Sequence, residues 1–137
     1  MTRINVVPVE ELCDEHLRAE YREIVRVPKL VMKRKRFDHP IPPMNYTIRT
    51  EKNPEGGKGH VLFFYNKLLY LKKRFEQLTA EMQSRGFKTN FTWPAGCEML
   101  CLACNDYEPT KQALELNRIR IKERKPKNPH YRGRKAI

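Results

Sequence analysis

Long apolar runs are missing from this 137-residue chain. No stretch approaches the roughly 18 consecutive apolar residues of a membrane-spanning helix, and no signal-peptide core follows the first methionine. A soluble protein that stays in the cytoplasm is expected. Glycine is scarce at six residues, and three of them sit in "NPEGGKG", which lacks the G-x-x-x-x-G-K-[ST] pattern of a phosphate-cradling loop. That sets P-loop chemistry aside. Apolar side chains make up 39% of the chain and mean hydropathy is −0.76, so the core must be economical and the surface wide and polar. Acids are also short: 16 against 28 Lys and Arg, a net charge of +12 and a pI near 9.8. Such an excess points to a polyanion, nucleic acid first and an anionic membrane second, unless it serves only solubility.

The positive charge is unevenly placed. Residues 117–137 hold nine basic side chains and one acid, a net +8, and "KRKR" at Lys33–Arg36 forms a second cluster that either contacts phosphate or is a solvated loop. Residues 9–23 are close to neutral. Basic patches on either side of a neutral helix suit a surface that tracks phosphates around a site.

Three helices are expected, in one all-α domain over 1–137 with long connecting loops and a basic tail from about 126. From Val9 to about Ile24, the residues Val9, Leu12, Cys13, His16, Leu17, Ala19, Glu20, Glu23 and Ile24 fall on one arc at 100° per residue, with Arg18 and Arg22 opposite. Pro8 suits the first helical position, and Pro28 ends the helix or follows it closely. Residues 29–60 read mostly as loop, with a short helical turn near Leu30–Lys35 as an option. Val61, Phe64, Leu68, Leu71, Phe75, Leu78 and Met82 mark a long core helix closed by Gly86, to which no chemistry is assigned. A last helix, Thr110 to about Lys125, ends at Pro126 and has a thin apolar face of Ala113, Leu114, Leu116 and Ile121.

Cysteines number four. Cys97, Cys101 and Cys104 give C-x3-C-x2-C, the ligand spacing of the radical enzymes that use S-adenosylmethionine, but the chain is too short for their barrel. A structural zinc with Cys13 or a histidine as fourth ligand, an iron–sulfur cluster, and simple packing in a reducing compartment remain open.

The stretches "MTRIN" and "AEYREIVR" carry the candidate chemistry. Methionine is normally trimmed before a small residue, which would leave the α-amine of Thr2 as the chain end. An α-amine has a reference pKa of about 7.7–8.0, and nearby cations (Arg3, Arg22 and Arg26) lower it further. A neutral amine can attack a sugar carbon with oxocarbenium character and form a Schiff base. Glu23 supplies a carboxylate to stabilise positive charge or move protons. The plainer reading of Glu23 is an i, i+3 salt bridge to Arg26. His16, a lone histidine on the core-facing side, fits a structural role as well as a functional one.

"MTRIN", "HLRAEYREIVRV" and "GHVLFFYNKLLYLKKRFEQLTAEMQSRGF" resemble the phage endonuclease V type of pyrimidine-dimer DNA glycosylase with AP-lyase activity. The resemblance covers the first 28 residues and about 59–87, and "ALELNRIRIKER" is similar to the family's third helix. It implies that Thr2 attacks C1′ of the 5′ nucleotide of a cyclobutane dimer and that Glu23 is the essential acid. Arg3, Arg22, Arg26, Arg120 and Arg124 would contact DNA, with His16 beside the reaction centre. The adenine opposite the dimer would be turned out into a pocket, the strand nicked by β-elimination, and no cofactor needed. The partner would be duplex DNA with dimers or abasic sites, bound by a monomer in a bacterial or phage-infected cell. The family's aromatic carboxyl terminus is reduced here to Tyr131. A non-catalytic DNA- or RNA-binding module on the same scaffold, and a zinc-dependent nuclease using the cysteines, are the alternatives.

Overall fold

The computed structural model describes residues 4–33, 45–56, 60–94 and 105–131. It is all-α: helices α1 (Asp14–Ile24), α2 (Arg26–Lys33), α3 (Leu68–Ser84) and α4 (Lys111–Glu123), with single 3-10 turns at Val9–Glu11 and Leu62–Phe64. Among the described residues there is no strand, only an isolated bridge between Thr50 and Asn53. Also among them, no helix is long and apolar enough to cross a membrane.

Each expected helix is present, with breaks that have local causes. The helix expected over residues 9–24 is interrupted by extended backbone at Leu12 and Cys13, and Cys13 becomes the N-cap residue of α1. Asp14 and Glu15 then occupy the first turn, where the positive end of the helix dipole favours acids. Pro28 follows the end of α1 closely, as expected, but it lies in a second helix rather than a loop. Its missing N–H could not bond to Ile24, the last residue of α1, so the chain turns at Val25 and restarts as α2 with Pro28 in the first turn. Residues 29–33, expected mostly as loop, are therefore helical. The long third helix begins only at Leu68, because Lys67 leaves helical geometry (φ −127°, ψ 41°) and its Nζ donates to the Phe63 carbonyl at 2.9 Å. Its end is as expected. Gly86 adopts φ +83°, with Gly86 N–H donating to Gln83 and Phe87 N–H to Met82, the double closure of a Schellman motif. Thr110 caps α4 by accepting from Ala113 N–H at 3.0 Å.

The core sits between α1 and α3 and is closed by the amino-terminal segment and the Phe63–Phe64 pair. Leu17, Ile24, Leu68, Leu71, Leu78, Phe63 and Phe64 are essentially fully buried. Each such side chain contributes roughly 1.5–3 kcal/mol on transfer from water. Tyr46, His60, Phe63, Phe64, Tyr70 and Tyr107 meet mostly edge to face at centroid distances of 5.1–6.3 Å, the arrangement that ring quadrupoles favour.

Candidate active site and nucleic-acid interface

Residues Ile4–Val7 form no regular structure, yet all four are buried. Buried backbone must find hydrogen-bond partners, and here side chains from three other parts of the chain provide them. The Val6 and Val7 N–H groups both donate to Oδ1 of Asn117 on α4, at 2.7 and 3.2 Å. Arg74 of α3 donates to the Val7 carbonyl. His60 Nε2 lies 3.0 Å from the Ile4 carbonyl oxygen, and its Nδ1 lies 2.7 Å from that of Thr47. The Asn5 side chain donates to Glu20 Oε1 at 2.9 Å and accepts from Asn117 Nδ2 at 2.8 Å. Glu20 and Arg74 form a buried two-point ion pair at 2.8 and 3.0 Å, with exposures of 0% and 3%. Such a pair is costly to break from one side, since the survivor is left as a buried charge. The segment entering the chain from Thr2 and Arg3 is thus clamped to α1, α3 and α4. Thr2 and Arg3 themselves lie outside the described residues, as do Cys97, Cys101 and Cys104 and positions 34–36 of "KRKR".

Glu23 lies one turn beyond Glu20 on α1. Its carboxylate is 24% exposed and pairs with Arg26 at 3.1 Å, while Arg26 is 71% exposed. The i, i+3 bridge is therefore present. A pair this open holds its partners weakly, about 0–1 kcal/mol, so a phosphate can replace the carboxylate on Arg26 at little cost. His16 is half-buried and its Nε2 lies 3.1 Å from the carbonyl oxygen of Arg124, so as a donor it holds the carboxyl end of α4 against α1.

On α4 the arginines divide by face. Arg118 is neutralised by Glu11 at 2.8 and 3.0 Å. Arg120, on the face shared with Asn117 and Arg124, has a buried Nε with no hydrogen-bond partner. Its guanidinium is held below the usual arginine value, first by burial and then by Arg124, with Arg49 adding to the effect and Glu123 opposing it. The Glu123 carboxylate is engaged by the Glu51 N–H, at 3.1 and 3.2 Å. Arg49, Arg120 and Arg124 thus form a cationic group that lacks an acid in direct contact among the described residues, a fitting seat for phosphate.

Arg22 faces a different opening. With Arg18, Tyr21, Met82, Phe87, Lys88, Asn90 and Phe91 it lines a surface pocket of about 310 Å³. Phe75, Tyr21 and Phe91 stack in series at 5.7 and 5.3 Å, and the last ring, Phe91, is 44% exposed. The pocket combines a ring for stacking with three cations for phosphate, which suits a nucleotide.

Among the described residues no group of His, Cys, Asp or Glu is arranged to hold a metal ion. Cys13 is a buried thiol whose pKa is pushed up chiefly by burial. Sequence reading singled out Glu23, His16 and the arginines but passed over Asn5, Glu20, Arg74 and Asn117. Their signal was a polar residue on an apolar stripe: Glu20 between Leu17 and Ile24, Arg74 between Leu71 and Leu78, and Asn117 one turn after Ala113. The structure thus ties residues 4–7 to Glu20 on α1, one turn before Glu23. A family model for pyrimidine dimer DNA glycosylase matches residues 1–95, which takes in α1, α2 and α3. The chain therefore belongs to the pyrimidine dimer DNA glycosylases of the phage endonuclease V type, repair enzymes with DNA glycosylase and AP-lyase activity.

Proposed function

We propose that the α-amine of Thr2, freed by removal of Met1, attacks C1′ of the 5′ nucleotide of a cyclobutane pyrimidine dimer. The glycosidic bond breaks, the base leaves with its electron pair and takes up a proton, and the nitrogen loses one; the C1′–O4′ bond then opens, with O4′ taking a proton, as the nitrogen lone pair forms the protonated imine. Loss of a C2′ proton then expels the 3′ phosphate by β-elimination, and water releases the amine. Glu23 stabilises the positive charge on the sugar and relays protons. Arg3, Arg22 and Arg26 grip phosphates at the lesion, Arg120 and Arg124 grip those on the flank, and His16 fixes α4 beside them. One copy of the chain suffices, and abasic sites are substrates because they join the reaction after base loss.

The observation that carries this reading is the bond from Asn5 to Glu20, which ties the amino-terminal segment to the helix bearing Glu23, one turn from that carboxylate. Borohydride added to protein and a dimer-containing duplex is expected to trap a covalent adduct. Glu23→Gln is expected to lose base release by about 10²-fold or more while still binding the lesion. An extra residue ahead of Thr2 is expected to stop trapping. Absence of an adduct would favour a non-catalytic binding module. Cleavage stopped by chelators would favour a metal nuclease.

A further inference from the structure

We infer that Asn117 is a positioning residue for the reaction, acting through the backbone of the amino-terminal segment rather than on the substrate. The inference rests on the amine reading above. Asn117 is fully buried, and three of its hydrogen bonds go to one four-residue stretch: two accepted from Val6 and Val7 N–H and one donated to Asn5 Oδ1. In a sheet, a neighbouring strand would satisfy these groups; here one side chain on α4, more than a hundred positions away in sequence, does that work.

The consequence for chemistry follows from chain length. Ile4 lies two residue steps from Thr2, at most about 7 Å when fully extended. A fixed Ile4–Val7 segment therefore confines the amine to a small volume, whereas a loosened one releases several more residues of slack. Imine formation requires the nitrogen about 3–3.5 Å from C1′ and correctly aligned, and a misplacement of about 1 Å can cost 10²-fold. Asn117 also shares its α4 face with Arg120 and Arg124, three and seven residues on. One rigid helix thus references the amine-bearing segment to the arginines proposed to hold the phosphates. Asn5, through Glu20, references the same segment to α1 and Glu23. Removing Asn117 leaves the Arg74 and His60 bonds in place, so the segment stays attached but with poorer register.

The test compares Asn117→Leu and Asn5→Ala with wild type on a dimer duplex, reading single-turnover adduct formation under borohydride separately from lesion affinity. Leu78→Ala, a core change that touches none of these bonds, controls for reduced stability, with all rates expressed per folded molecule. Adduct formation is expected to fall about 10- to 100-fold in Asn117→Leu, and in the same direction in Asn5→Ala, with affinity within about threefold of wild type. Leu78→Ala is expected to keep its rate per folded molecule. If the Asn117 and Asn5 variants trap as fast as wild type, or slow only as much as Leu78→Ala, the positioning role is wrong while the amine mechanism stands. If Asn117→Leu does not fold, Asn5→Ala decides alone. If wild type gives no adduct, both readings fall.

Discussion

Glu15, at the start of α1, lies 2.6 Å from Nδ1 of His130 across 115 positions of sequence, and the Asp14 N–H donates to the His130 carbonyl at 2.7 Å. These bonds fold the tail back onto α1. Burial pushes the Glu15 carboxyl up, but the His130 imidazole and main-chain N–H groups outweigh it and leave the pKa at about 2, against 4.5 ordinarily. Glu11 is also held low, chiefly by the hydrogen bond from Arg118. A carboxylate with a depressed folded pKa stabilises fully above its unfolded value and loses that contribution as pH falls through the folded one. Wild type is therefore expected to lose stability between pH 4.5 and about 2 more steeply than Glu15→Gln, measured by denaturant midpoints across that range. Equal slopes would show that the tail does not contribute through this bond. At this scale the sequence drew attention to Glu23 and His16, a carboxylate and a lone histidine on one arc of α1. It did not disclose Asn117 or Arg74, whose meaning depends on partners that other elements bring to them.

Helices α1, α3 and α4 were legible because their apolar residues recur at helical spacing, with Thr110 opening α4 and Gly86 closing α3. The stop before Pro28 was legible too, but the restart as α2 was not, nor was the break at Lys67, which goes with a bond from its own Nζ to the Phe63 carbonyl. Gly86 shows how local such control is. A Cβ at this position would meet nothing within 4 Å, so the demand for glycine is purely conformational, set by φ +83°. Gly86→Ala is expected to cost roughly 1–2 kcal/mol, the usual penalty for left-handed geometry, in a denaturation experiment. A smaller change would mean that the α3 terminus relaxes to another closure.

Across the whole molecule, much of the positive charge behind the net +12 is already engaged by acids, and a phosphate would find it most readily where an arginine has no acid in contact or, as at Arg26, only an exposed one. Arg74, Arg85 and Arg118 have carboxylate partners, whereas Arg49, Arg120 and Arg124 stand together without one in direct contact among the described residues. If the protein neutralises about 6–10 phosphates, affinity for undamaged duplex should fall roughly 10³–10⁵-fold between 50 and 200 mM salt. Replacing Arg49, Arg120 and Arg124 with Gln is expected to reduce the log–log salt slope by about 0.9 for each phosphate left without its cation, read by anisotropy titration. An unchanged slope would remove this patch from the interface. Composition announced a polyanion, but which cations are free depends on pairings between distant segments, such as Arg118 with Glu11.

Trp93, the single tryptophan, packs on Phe75 at 5.6 Å, beneath the ring series that ends at Phe91 on the pocket rim. A base that settles on Phe91 is therefore linked through stacked rings to the sole indole. The protein carries its own fluorophore three ring contacts from that rim, so titrating a nucleotide against tryptophan emission tests occupancy without a dye on either molecule.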